Sequence, residues 1–208
     1  VPEHRVEDGI TYLETPDGEM PLEIFGTHNL SNLAGAKWIC QQMGVDEADF
    51  YEAMTTFKGA AKRLEKIAEG KNKIAYKDFA HAPSKVRATT KSVREQYPQR
   101  KLIACLELHT YSSLNPKFLL QYKGALDGAD EAIVFYSPDA LKIKGLPEVS
   151  AQQILKAFGR EDIHVFTRAE DFQEYVLARN YDGAVLLLMS SGNYGNLDFD
   201  GLKSKFVS

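Results

Sequence analysis

Asp78-Phe79-Ala80-His81-Ala82-Pro83-Ser84 is the stretch that decides the fold. The apolar run Ile74-Ala75-Tyr76 leads into it, and a helical pattern from Pro83 to Tyr97 leaves it. That is a strand, a tight loop and a helix starting at proline, where the missing N–H costs nothing. In an open α/β sheet, ligands gather at the carboxyl ends of strands. Asp78 and His81 therefore stand where such a sheet does its chemistry. The same two residues also fit a capping Asp and a surface His in an ordinary βα loop.

Downstream the pattern alternates regularly. Strands are expected at 74–78, 101–108, 131–136, 163–167 and 184–190, and helices at 84–97, 115–127, 150–158, 169–180 and 198–206. Leu102-Ile103-Ala104-Cys105-Leu106 and Ala184-Val185-Leu186-Leu187-Leu188-Met189 are continuous apolar runs, which suits a parallel sheet covered on both faces. Val86, Thr90, Val93 and Tyr97 share one helix face, and Pro98 stops that helix. This half reads as a complete, Rossmann-like α/β domain. Two more loops follow strand ends, 109–113 and 190–196, and a parallel sheet brings both to the edge that carries Asp78. No G-x-x-x-x-G-K-[ST], G-x-G-x-x-G or G-x-S-x-G occurs.

Upstream, Ile10–Leu13 and Met20–Phe25 are short strand-like runs around the turn signal Pro16-Asp17-Gly18. Two strands make no stable sheet alone, so the expectation is that their sheet lies upstream and that this chain is the C-terminal piece of a longer protein. Leu30, Leu33, Ala36, Ile39, Cys40 and Met43 recur at helical spacing, with Gly44 closing the helix. Asp46 caps a second helix carrying Phe50, Ala53, Met54 and Phe57 on one face. Asn29 and Asn32 lie three apart, and the donor and acceptor of each could match the edge of an adenine; a helix cap and an exposed amide fit equally. Arg63 could bind a phosphate through its fork, or form a surface ion pair. The polar run Glu69-Gly70-Lys71-Asn72-Lys73 is the expected domain boundary and hinge, near residue 70.

The 208 residues are 44% hydrophobic and 26% charged, enough for one or two globular units with a real core. A net charge of −4 argues against a broad nucleic-acid or anionic-membrane surface. No run approaches the ~20 apolar residues needed to span a bilayer. The two cysteines, Cys40 and Cys105, lie in apolar segments, so buried free thiols in a reducing cytoplasm are expected. No Cys/His cluster has zinc spacing. Two further classes fit the residues: a hydrolase using Asp78 and His81, and a non-catalytic nucleotide-binding or interaction domain.

Gly26-Thr27-His28-Asn29-Leu30-Ser31-Asn32, then Phe57-Lys58-Gly59 with Arg63 and Glu65, then Asp78-Phe79-Ala80-His81-Ala82-Pro83, strongly resemble the Mur ligases in residues, order and spacing. Those are ATP-dependent enzymes that add amino acids or peptides to UDP-N-acetylmuramate in peptidoglycan synthesis and recycling. The resemblance covers essentially the whole chain. It implies that residues 1–70 are the tail of the central, ATP-binding α/β domain and that 71–208 are the C-terminal domain, which closes on the nucleotide and receives the acceptor.

Within the family, Met189-Ser190-Ser191-Gly192-Asn193-Tyr194-Gly195 resembles the recycling branch, which adds L-alanyl-γ-D-glutamyl-meso-diaminopimelate. His109-Thr110-Tyr111-Ser112 resembles the His-Arg-Tyr-Ser loop of the L-alanine-adding branch, but Thr110 lacks the guanidinium that would hold a small amino acid's carboxylate. The recycling branch is therefore the expectation, and the L-alanine branch the alternative. No Asp-Asn-Pro-Arg occurs, against the diaminopimelate-adding branch.

The implied mechanism is phosphorylation of the sugar's carboxylate by ATP to an acyl phosphate, then attack by the acceptor's amine. Magnesium would neutralise the phosphates from ligands lying mainly upstream. The resemblance implies that His28, Asn29 and Asn32 meet the adenine, that Arg63 bridges to phosphates, and that Asp78 binds the ribose. It implies that His81 faces the reaction centre and that His109, Tyr111, Ser112 and Asn193 face the acceptor. On that basis Asp78 would be dispensable to the fold, and the chain by itself would not turn over ATP.

Overall fold

A computed structural model describes residues 1–207. The chain opens with an antiparallel meander of β1 (His4–Glu7), β2 (Ile10–Thr15) and β3 (Gly18–Leu22). Two helices follow, α1 (Thr27–Gln42) and α2 (Glu47–Thr55), the latter capped by Asp46, whose Oδ1 accepts from Ala48 N at 2.8 Å. Leu13, Leu22, Ile24, Leu30, Leu33 and Phe50 form a small core there. The apolar stripe expected along α1 is buried only at its start. Ile39 and Met43 are 55% and 78% exposed, because three short strands cover only the first turns.

The second sheet follows the expected alternation. It contains β4 (Glu65–Glu69), β5 (Ile74–Asp78), α3 (Pro83–Gln96), β6 (Lys101–Glu107), the short α4 (Pro116–Leu119) and β7 (Glu131–Phe135). Then come α5 (Pro138–Ile143), α6 (Ala151–Phe158), β8 (His164–Phe166), α7 (Ala169–Ala178), β9 (Ala184–Met189) and α8 (Phe199–Val207). The strand order is β4-β5-β9-β6-β7-β8, parallel except for β4 at the edge. This is the mixed α/β, mainly parallel architecture that the sequence predicts. β9, buried at every residue, lies between β5 and β6. Val86, Val93, Leu119, Tyr122 and Ile154 pack on one face of the sheet, and Phe172, Val176, Leu202 and Phe206 on the other.

Two expectations, one on a helix and one on a cysteine, need correction. The helix at 115–127 shrinks to α4 plus a 3-10 turn, Leu120–Tyr122, because the chain leaves helical geometry at Lys123 and Gly124 takes a φ of 72°. The polar run near residue 70 forms the turn between β4 and β5, where Gly70 N donates to Lys73 O at 2.8 Å. Cys40 is only half-buried, whereas Cys105 is fully buried; both are free.

The meander docks on the second sheet through a few specific contacts. The Phe25 ring lies 5.2 Å from Tyr76 and 6.1 Å from Tyr97, both edge-on. Thr11 Oγ1 donates to Gln96 Oε1 at 2.9 Å, and Gln96 Nε2 to Gly9 O at 2.8 Å. No helix among the described residues is long and apolar enough to cross a membrane.

Candidate functional site

Where β5 ends, a cleft of about 370 Å³ opens between the start of α1 and the start of α3. His28, Asn29 and Asn32 line it from α1, Arg63 from the loop before β4, and Asp78 and His81 from the loop after β5. The three parts meet because α1 approaches α3 very closely. Gly26 caps α1 with a φ of 86°, and a Cβ there would lie 2.8 Å from Ser92 Cβ. Only glycine satisfies both the dihedral and the contact. Asn29 is not the helix cap: its Nδ2 donates to Phe25 O at 2.9 Å, leaving its oxygen uncommitted by that bond.

Asp78 is buried and holds the cleft's wall together. Oδ2 accepts from Leu64 N at 2.8 Å, Oδ1 from Ala80 N at 2.7 Å, and Thr89 Oγ1 reaches Oδ1 at 3.4 Å. Asp78 is therefore structural whatever else it does, contrary to the expectation that the fold could spare it. Its bond to Leu64 secures a loop in which Lys62 and Leu64 both take left-handed φ values, 57° and 46°, on either side of Arg63. Non-glycine residues hold that geometry only where their surroundings enforce it. Phe79 N donates to Lys62 O at 2.9 Å, and the Arg63 guanidinium sits 5.4 Å over the Phe79 ring. His81 Nδ1 lies 2.9 Å from Phe79 O; a carbonyl only accepts, so Nδ1 carries the hydrogen in this bond. Tyr122 OH donates to His81 O.

The residues expected to meet an acceptor fall elsewhere. His109 and Asn193 line a second cleft, of about 500 Å³, at the carboxyl ends of β6, β7 and β8. Tyr111 and Ser112 are exposed on the turn after β6. Thr110 folds that turn on itself: its Oγ1 donates to Ser113 Oγ at 3.0 Å and accepts from Ser113 N at 3.1 Å. His81 and the 109–113 loop thus belong to separate hollows on one sheet edge. That edge is where the chain reverses direction across the sheet. Helices after β5 and β6 cover one face, and α8 after β9 covers the other.

Sequence reasoning passed over Lys85, Thr89 and Ser92, which also line the first cleft. Their i, i+4, i+7 spacing along α3 was the available signal. It also passed over Glu107, a charged residue closing an apolar strand. Among the described residues no three His, Cys, Asp or Glu side chains gather as a metal site.

Residues 62–192 match the family described as Mur ligase, glutamate ligase domain. The UDP-N-acetylmuramate--L-alanine ligase of Brachyspira hyodysenteriae is 30% identical over 198 residues, 91% of this chain and 42% of that protein. The chain thus spans about two-fifths of the length of the curated relatives it matches. Among solved structures, the UDP-N-acetylmuramate-alanine ligase of Thermotoga maritima superposes with a TM-score of 0.71 at 18% identity, over 98% of this chain and 44% of that one. The MurF ligase of Thermotoga maritima, in complex with ADP, superposes at 0.64 with 16% identity, over 98% and 44%. At these identities the superpositions speak to the fold.

Proposed function

Because the chain belongs to the Mur ligase family, we propose that it forms the nucleotide-closing and acceptor-side part of an ATP-dependent, cytoplasmic ligase. That ligase joins a peptide or amino acid to UDP-N-acetylmuramate. The observation that carries this reading is the first cleft, where α1 brings His28, Asn29 and Asn32 against Arg63, Asp78 and His81. Amides match a base edge, a guanidinium fork matches phosphate, and a carboxylate accepts from ribose hydroxyls. ATP, when bound, supplies the phosphoryl group that activates the sugar's carboxylate. The chain's own part is to orient it: Asp78 fixes the loop that presents Arg63, and α1 supplies the base-side amides. In this reading the ATP-binding tail and the C-terminal domain meet in residues 56–64, since residues 70–73 turn inside the second sheet.

A peptide is the acceptor we favour. Thr110 offers no charge and its hydroxyl is spent on its own turn. The second cleft, at about 500 Å³, falls within the ~300–1,000 Å³ typical of sites for drug-sized ligands. L-alanine is the second reading, favoured by the name of the Brachyspira hyodysenteriae relative. The full-length protein should release ADP only with UDP-N-acetylmuramate present, and faster with L-alanyl-γ-D-glutamyl-meso-diaminopimelate than with L-alanine. A clear preference for L-alanine reverses the order of the two readings; ADP release indifferent to UDP-N-acetylmuramate removes both.

The 208-residue chain alone should bind ATP no more tightly than about millimolar, the weak end of the affinity scale. Its cleft offers edges for a nucleotide, and ordering exposed Asn32 and Arg63 around one opposes binding. Calorimetry with ATP and magnesium checks this, and micromolar affinity would mean that the chain carries a complete nucleotide site.

A further inference from the structure

We infer that the second cleft grips a short peptide acceptor by opposite charges: Glu107, with His109 beside it, takes the amine, and Arg168 takes a carboxylate. This rests on the ligase reading above and assigns its acceptor to particular side chains.

Glu107 is 4% exposed, at the end of β6, on the lining of the cleft. Its Oε2 is committed, accepting from Ser190 Oγ and, at 2.9 Å, from Tyr194 N. Its Oε1 is not. The nearest cationic partner among the described residues is His109 Nδ1 at 3.6 Å, too far for a hydrogen bond. That oxygen has no protein donor among the described residues and is left open to one brought by a ligand in the cleft. An ammonium brings up to three. The space around the pair is kept open by Gly192, where a Cβ would come within 2.8 Å of Glu107 Oε2 and 3.1 Å of His109 Cγ.

Arg168 lines the same cleft from the start of α7. Its side chain is 69% exposed, and its nearest carboxylates, Glu170 and Asp171, lie 3.9 Å from Nε, beyond hydrogen bonding. The fork is free to take a carboxylate in bidentate fashion. Asp139 and Glu170, also on the lining, repel a carboxylate from other positions. A guanidinium missing at position 110 is thus supplied from a different strand end. A peptide long enough to span the cleft can reach it while its amine sits at Glu107.

Steady-state kinetics on the full-length protein test this, with L-alanyl-γ-D-glutamyl-meso-diaminopimelate and its carboxyl-amidated form as acceptors. Glu107→Gln keeps an oxygen for Tyr194 N and removes the charge. It should raise the KM for the peptide roughly 10- to 100-fold, the range of a lost charge-assisted hydrogen bond. Wild type should prefer the free peptide to the amidated one, and Arg168→Ala, at an exposed position, should erase that preference. A KM within about 2-fold of wild type in both variants, or a preference for the free carboxylates that survives Arg168→Ala, overturns the inference. Hydroxylamine trapping of the acyl phosphate in wild type, without acceptor, separates the two levels. Trapped product with unmoved KM values sinks the acceptor assignment and leaves the ligase reading standing; no trapped product sinks the ligase reading and this inference with it.

Discussion

Asp78→Ala should destabilise the chain by about 2–4 kcal/mol, because two backbone N–H groups lose their only acceptor and each orphan costs roughly 1–3 kcal/mol. One of them, Ala80 N, lies in a residue 4% exposed, beyond easy rescue by water. The other, Leu64 N, is half-buried and holds a loop with two left-handed residues, so its release lets that loop relax. For a domain of this size the loss corresponds to roughly 5–15 °C in Tm. Circular dichroism during a thermal scan measures it. A Tm within about 2 °C of wild type would mean that the carboxylate does not secure the loop.

The same substitution should weaken nucleotide use in the full-length protein more than the stability loss explains. Arg63 reaches the cleft only while Lys62 and Leu64 keep their geometry, and Leu64 keeps it through Asp78. Asp78→Asn separates the contributions. The amide retains one acceptor oxygen and turns an NH₂ toward one of the two N–H groups, so about half of the structural loss should remain.

These two roles of Asp78 show what the sequence can and cannot carry. Strand β5 appears at its expected bounds and β9 within a residue of them, because runs buried on both faces are apolar throughout. β4 escapes notice because it is an edge strand. Lys66 and Glu69 point to solvent, and its backbone pairing with β5 leaves no apolar imprint on the sequence. The convergence of His28 and Asn32 with His81 is legible only through the family resemblance, since no local period links positions some fifty residues apart. Glu107 and Arg168 are harder still. They meet at one cleft because β8 lies beside β7 and β7 beside β6, a strand order that neither residue's neighbours encode. Hydrogen bonds such as those of Asp78 are invisible to pattern reasoning, which reads Asp after a strand as a ligand or a cap and has no term for a loop residue fourteen positions earlier.

Tyr194→Ala should cause the largest loss of all, about 3–5 kcal/mol by analogy with other buried aromatic truncations, against a total stability of only ~5–15 kcal/mol. The Tyr194 ring is 1% exposed and stacks on Phe172 at 5.0 Å with 10° between planes, while Phe135 lies 6.3 Å away. Its hydroxyl lies 2.8 Å from both Cys105 O and Met189 O, near the ends of β6 and β9. Burial pushes the phenol well above its ordinary pKa, so it stays a donor to those carbonyls. The residue also holds a left-handed φ of 54°, beside Gly195 at 66° and Asn196 at 69°. This unfavourable run is kept in place by the ring below it and by Glu107 Oε2 on Tyr194 N. Removing the ring leaves a cavity under the sheet and frees the 190–196 loop, so acceptor use should fail along with stability. Tyr194→Phe isolates the hydroxyl: packing stays, the two strand-end carbonyls lose their donor, and about 1–2 kcal/mol should go. Urea unfolding of the two variants orders the effects. A Tyr194→Ala variant within about 1 kcal/mol of wild type would show that the loop is held without its aromatic anchor.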